Sequence, residues 1–168
     1  MRQEVRSWVT TVTNIWQPKA PVLEVGSLDV NGNVRDLFPQ EGYVGVDMRP
    51  GPGVDLCINF LTRLNHQSDP LWGSFNTAVI LETLEHVTDP LGVLVRMSRA
   101  LQHGGLFIGS WCMCFPIHQE PVDYWRVTPE GFRWALSAAG FQDIEIYTEG
   151  GTPDLPVGVF ATARMWTQ

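Results

Sequence analysis

The sequence is short of cysteine, of positive charge and of long apolar runs, and each shortage excludes a class of protein. Its three cysteines, Cys57, Cys112 and Cys114, are an odd number, which argues against a disulfide framework. Cys112-Met113-Cys114 is C-x-C rather than the C-x-x-C of zinc and redox sites. No second Cys or His pair completes a tetrahedral set, so no metal ligand set is read. Against 18 Asp and Glu stand only 11 Lys and Arg, a net charge of −7. Such a chain lacks the cationic footprint that phosphate backbones and anionic bilayers attract, so neither a nucleic acid nor a membrane is an expected partner. No apolar stretch approaches the ~20 residues of a membrane span. None follows the opening Met1-Arg2-Gln3-Glu4 either, so no secretory signal is read and a cytoplasmic location is expected.

What remains is an ordinary globular composition. Apolar residues are 44% and charged residues 17% of 168, a length that suits one domain with a sizeable core. Sixteen glycines and twelve prolines make the chain turn-rich, below the low-complexity range. No internal repeat or linker divides it. The expected organisation is a single domain over 1–168: an N-terminal helix (1–18), a binding core (20–111), a loop (112–127), then a helix and closing strands (128–168).

The periodicity supplies the elements. Val5, Trp8, Val9, Val12 and Trp16 fall on one face of a helix. Short apolar runs at 22–25, 43–47, 54–58, 75–81 and 106–111 read as strands, the third of them weak. Residues 33–38 read as a short helix, and 60–74 as one poor helix at most. Asp89-Pro90 and Thr128-Pro129 are cap-then-proline helix starts, with Gly104 and Gly140 as the stops. Strands at 142–147 and 157–165 close the chain. Strands alternating with helices from 22 to 111 predict a parallel sheet covered on both faces. The last two strands have no helix between them and should pair antiparallel at one edge.

In such sheets ligands sit at the carboxyl ends of the strands, where the strand order reverses. Residues 24–32, Glu24-Val25-Gly26-Ser27-Leu28-Asp29-Val30-Asn31-Gly32, follow the first strand there. Gly26 lets the backbone turn tightly and approach a ligand. Asp47 ends the second strand, at the spacing where a carboxylate accepts from both ribose hydroxyls of a nucleoside. NAD and S-adenosylmethionine both fit this geometry. The G-x-G-x-x-G fingerprint is absent, and Ser27, Leu28 and Val30 leave a pyrophosphate less room than glycines would. The loop therefore suits the sulfonium cofactor better.

Three segments carry a family resemblance. Val22-Leu23-Glu24-Val25-Gly26, Val44-Gly45-Val46-Asp47 and Ile80-Leu81-Glu82-Thr83-Leu84-Glu85-His86-Val87 together resemble the class I S-adenosylmethionine-dependent methyltransferases. The last of them is similar to the E-x-L-E-H-V segment of the small-molecule branch. Residues 123–131, Asp123-Tyr124-Trp125-Arg126-Val127-Thr128-Pro129-Glu130-Gly131, resemble a D-Y-W-R-x-T-P-E-G block of some members. The resemblance spans about residues 20–165 and departs from the family at Leu28 and Val30. It implies an α/β fold, a Rossmann-like doubly wound seven-stranded sheet, mostly parallel with an antiparallel C-terminal edge strand. It implies S-adenosyl-L-methionine as cofactor and methyl transfer to a small-molecule or sugar-like acceptor.

By position, the resemblance places Glu24, Gly26, Leu81 and Glu82 at the methionine end, Asp47 at the ribose, Met48 on the adenine and Asn59 near its amino group. His86 is a candidate base, with Tyr124 and Arg126 as candidates at the acceptor, alongside His118, Glu120 and Asp123 on the same loop. For Arg126 the sequence leaves two readings open: an acceptor ligand, or an internal ion pair with Asp123 or Glu120. Acceptor specificity is expected from the 112–127 loop, the N-terminal helix or a partner copy of the chain. Two other functions remain compatible with the residues: a nucleotide-binding or scaffold domain without catalysis, and an NAD(P)-dependent oxidoreductase.

Overall fold

The structure, a computed structural model, describes residues 2–119 and 121–166; Glu120 lies outside them. Helix α1 spans Gln3–Trp16. Strands β1 (Val22–Val25), β2 (Tyr43–Asp47), β3 (Leu56–Cys57) and β4 (Phe75–Ile80) precede helix α2 (Pro90–Ala100). Strand β5 (Leu101–Cys112), helix α3 (Pro129–Ala138) and strands β6 (Phe141–Glu149) and β7 (Gly158–Met165) follow. All seven strands join one sheet in the order β3-β2-β1-β4-β5-β7-β6. The first five run parallel, and β7 pairs antiparallel with both β5 and β6. The terminal strand therefore sits one place in from the edge, and β6 takes the edge itself.

This order follows from which strands can bury both faces. Val22, Leu23, Glu24 and Val25 are all buried, as befits a central parallel strand covered above and below. Leu23, Val25, Val46, Ala78, Ile80 and Phe107 point to the side where Val93, Leu94 and Met97 of α2 and Phe132 and Leu136 of α3 pack. Val22, Tyr43, Val79, Ile108 and Phe160 point the opposite way, against Val5, Val9 and Val12 of α1. Strand β6 is largely exposed, the pattern of an edge.

Both cap-then-proline starts form. The Asp89 side chain accepts from the Gly92 N–H, and Thr128 accepts from that of Gly131. The ambiguous segment 60–74, read as one poor helix at most, holds no α-helix, because local polar groups claim the backbone instead. Asn59 caps a single 3-10 turn, Phe60–Thr62. Asp69 then accepts from the backbone N–H groups of Leu64 and Leu71 and from the Arg63 guanidinium. Residues 33–38 likewise reduce to a 3-10 turn, Arg35–Leu37, and β3 keeps two residues.

Gly104 is not the stop of α2. That helix ends at Ala100 and β5 begins at once. Gly104, at φ +74°, lies where the register slips between the Phe75–Leu101 and Thr77–Leu106 pairs. No helix among the described residues is long and apolar enough to cross a membrane.

Candidate active site

The strand order reverses at β1, between β2 and β4, so the segments leaving the carboxyl ends of β1 and β4 diverge and leave a crevice. A cavity of about 550 Å³ occupies it. Glu24, Gly26, Asp47, Met48, Asn59, Leu81, Glu82, His86 and Tyr124 all line it; Arg126 does not.

The floor is the turn after β1. Gly26 has φ +79° and donates its N–H to the Val46 carbonyl at 2.8 Å. A Cβ there would lie 2.2 Å from Thr83 Oγ1, so the turn closes against the segment after β4 only because residue 26 is glycine. Leu28 packs over a different glycine: a Cβ on Gly51 would lie 2.4 Å from Leu28 Cδ1. Space absent from the first loop is thus supplied by the loop facing it.

Asp47 sits beside this turn. Its Oδ1 accepts from the Arg49 N–H at 2.9 Å, and Oδ2 makes a long contact of 3.4 Å with the N–H of Leu28. A carboxylate has about four acceptor positions, so capacity remains for a pair of hydroxyls. Met48 is 66% exposed, with its side chain free to cover a flat ring. Asn59 is committed in part, its oxygen accepting from the Leu61 N–H at 3.0 Å.

Glu24 lies behind the floor, buried, and accepts from the Tyr43 hydroxyl at 2.8 Å. Burial pushes its carboxyl up to about 7, against the opposing pull of the Tyr43 hydrogen bond and of Arg35. A carboxyl raised on folding binds a proton more readily in the native state. Its contribution to stability is therefore complete below the unfolded value of 4.5 and is lost as pH rises through about 7. Between pH 4.5 and 8, Glu24→Gln should gain on the parent chain by roughly 3 kcal/mol in unfolding free energy. Denaturant titrations across that range check this, and a difference independent of pH would refute it.

The opposite wall carries more polar chemistry. Glu82 adopts φ +48°, a strained conformation for a side-chain-bearing residue. Its backbone N–H and Oε1 both engage the Ser110 hydroxyl, and Oε2 pairs with Arg2 Nε at 2.8 Å. Arg2 is a cavity residue that sequence reading missed. It precedes α1, and its guanidinium reaches Glu82 and lies 5.2 Å from the Phe115 ring centroid; nothing local in the sequence signals that reach.

Glu85 is fully buried, with burial first and Glu82 second pushing its carboxyl up to about 7. Its Oε1 accepts from the Cys112 thiol at 3.2 Å. Burial and the neighbouring Glu85 hold that thiol well above its ordinary range, so it stays protonated as a donor.

His86 holds the Val122 carbonyl through Nδ1 at 2.7 Å. A carbonyl only accepts, so Nδ1 carries the proton and neutral His86 presents Nε2 as a lone pair. The 112–127 loop folds back over this wall. The Tyr124 N–H donates to the Glu85 carbonyl at 2.7 Å, and the Trp125 indole donates to that of Val87 at 2.9 Å.

Of the two readings open for Arg126, the structure shows the ion pair with Asp123, which holds the loop together. The Arg126 guanidinium pairs bidentately with Asp123 and donates to the Phe115 and Pro116 carbonyls. Asp123 is buried, its carboxyl held well below the usual range by Arg126. Desolvating that carboxylate demands a fixed cation, and Arg126 is the one three residues away.

No family model matches the sequence, and no curated protein is recognisably similar to it. Solved structures are similar in fold. One is a Burkholderia thailandensis 1,6-didemethyltoxoflavin-N1-methyltransferase with S-adenosylhomocysteine bound: TM-score 0.72, 17% identity, covering 97% of this chain and 79% of that one. A Thermotoga maritima S-adenosylmethionine-dependent methyltransferase, described as a possible histamine N-methyltransferase, has a TM-score of 0.63 at 16% identity, over 95% and 90% of the two chains. The [4+2]-cyclase SpnF reaches 0.66 at 14% identity, over 97% and 82%. The fold is that of the class I methyltransferases.

Proposed function

We propose that this chain binds S-adenosylmethionine along the crevice and transfers its methyl group to a small-molecule acceptor. The carrying observation is that one cavity brings together Gly26 after β1, Asp47 and Met48 after β2, and Glu82 and His86 after β4. That set suits a nucleoside running from Met48 and Asp47 toward a methionine end at Gly26 and Glu82. The absence of a glycine-rich pyrophosphate cradle favours a phosphate-free cofactor over NAD(P). The Burkholderia thailandensis neighbour with S-adenosylhomocysteine bound lends support at the level of fold.

The transfer asks little chemistry of the protein. The acceptor lone pair attacks the methyl carbon in line, and the carbon–sulfur bond breaks with its electron pair passing to sulfur. S-adenosylhomocysteine leaves as the neutral thioether. The protein aligns the two reactants and excludes water. Where the acceptor carries a proton, His86 Nε2 takes it, since Nδ1 is held by Val122. Tyr124 and His118 line the side where the acceptor enters. Cytoplasmic residence agrees with the three free thiols.

Asp47→Ala tests the cofactor assignment. Losing a carboxylate that accepts from ribose hydroxyls should cost about 1.5–3 kcal/mol. Calorimetry should then show S-adenosylhomocysteine binding about ten- to hundredfold weaker, with the fold kept. Heat with NAD and none with S-adenosylhomocysteine would reject the proposal. A second reading keeps the cofactor without methyl transfer, and the likeness to a [4+2]-cyclase favours retaining it. Binding of S-adenosylhomocysteine without methyl loss to any acceptor in a broad screen would select that reading.

A further inference from the structure

We infer that Glu85, His86 and His118 form a binding site for a divalent transition-metal ion at the acceptor side of the cavity. One ligand atom from each of the three lies within 4.8 Å of the others. His86 Nε2 is 3.9 Å from Glu85 Oε1, and the two imidazoles meet edge to face with centroids 4.8 Å apart.

The second contacts of these rings are those of metal ligands. His86 Nδ1 is held by the Val122 carbonyl. His118 Nδ1 lies 3.2 Å from the Asp123 carboxylate and 3.3 Å from the Pro116 carbonyl. Oxygen acceptors on both Nδ1 atoms fix the protons there and leave both Nε2 atoms as lone pairs. This is the arrangement by which a carbonyl or carboxylate orients a metal-binding imidazole. It also gives Asp123 a second task beside its pairing with Arg126.

Glu85 supplies an independent observation. It is fully buried, and its Oε2 has no hydrogen-bond partner. A buried acceptor without a partner is costly and rare. A cation held between this carboxylate and the two imidazoles would neutralise the buried group, with Oε1 the oxygen that approaches His86 Nε2.

Two imidazoles and one carboxylate suit zinc, iron, cobalt or manganese, whereas magnesium and calcium prefer all-oxygen sets. Two of the three ligands, His86 and His118, line the cavity and Glu85 lies buried behind them, so the cavity side of the ion is left for a further ligand. An acceptor oxygen bound there would be made more acidic and turned toward the methyl group, so that with the ion bound the metal, and not His86 Nε2 as a free base, activates the acceptor. This use of the metal rests on the methyl-transfer reading, whereas the site itself rests on geometry alone. Sequence reading missed it because it searched for paired Cys and His spacings. Here one ligand pair is adjacent on the segment after β4 and the third arrives on a loop from β5.

The test is titration of chelator-stripped protein with Co2+ alone, followed by calorimetry and visible absorption. One Co2+ per chain should bind with the appearance of d–d bands, and excess Mg2+ should leave it in place. His118→Ala and His86→Ala should each weaken binding by about 100-fold or more, with S-adenosylhomocysteine affinity unchanged for His118→Ala. His118 is partly exposed, so its variant should keep the parent melting temperature. Glu85→Gln is the less secure probe because the residue is buried. No Co2+ binding, displacement by Mg2+, or parent-like Co2+ affinity in both histidine variants would each overturn the assignment. Co2+ binding by a chain that ignores S-adenosylhomocysteine would sink the proposed function and leave the metal site standing.

Discussion

Gly26→Val is expected to remove cofactor binding and to destabilise the chain by about 2–5 kcal/mol. Two costs combine. A β-branched residue at φ +79° enters the left-handed region, at about 1–2 kcal/mol. The new side chain also enters occupied space, since even its Cβ would lie 2.2 Å from Thr83 Oγ1 and 2.6 Å from Cγ2. Overpacking of this kind costs about 1–3 kcal/mol. Thr83 is not free to step aside, because its hydroxyl donates to the Leu81 carbonyl at 2.9 Å. The β1 turn and the segment after β4 must therefore separate, and these two segments bound the methionine end of the crevice. S-adenosylhomocysteine affinity should fall by more than about 100-fold, equivalent to about 2.7 kcal/mol. Adding Thr83→Ala should recover part of the stability. Parent-like melting and binding for Gly26→Val would show that the two segments do not depend on contact here.

Arg126→Ala should cost about 1.5–3 kcal/mol of stability, the range for a hydrogen bond to a charged group, because the pair is partly buried and the Arg126 side chain is 27% exposed. Asp123 would be left as a desolvated carboxylate, still accepting from the His118 N–H at 2.9 Å but without its cation. The Phe115 and Pro116 carbonyls would lose their donors as well. S-adenosylhomocysteine affinity should change less than about threefold, because Arg126 does not line the cavity. The same variant should loosen His118 and so weaken Co2+ binding. Full stability with a raised Michaelis constant for an acceptor would return Arg126 to the acceptor site. A melting curve and a cofactor titration on one preparation distinguish these results.

How far the sequence was readable varies with how local the cause is. The strands at 22–25, 43–47 and 75–80 were legible because their apolar runs are buried on both faces, and both cap-then-proline helix starts because one side chain and one proline decide them. The segment 60–74 misled because Asp69 and Asn59 draw the backbone into turns through contacts that periodicity does not record. Gly104 misled because a glycine with positive φ serves a strand irregularity as well as a helix end.

The sequence by itself determined the alternation of strands and helices, the reversal point beside β1, and the cavity positions of Gly26 and Asp47. These follow from hydrophobic period, turn chemistry and chain order, which act over a few residues at a time. Only the tertiary structure decided that β7 lies inside β6, that Arg2 crosses to Glu82, that Arg126 turns to Asp123, and that His118 comes to face His86 and Glu85. Each depends on charges or ring nitrogens brought together across tens of residues. Burial then decides the pairing, because a carboxylate removed from water must take whichever cation or donor the packed sheet places beside it.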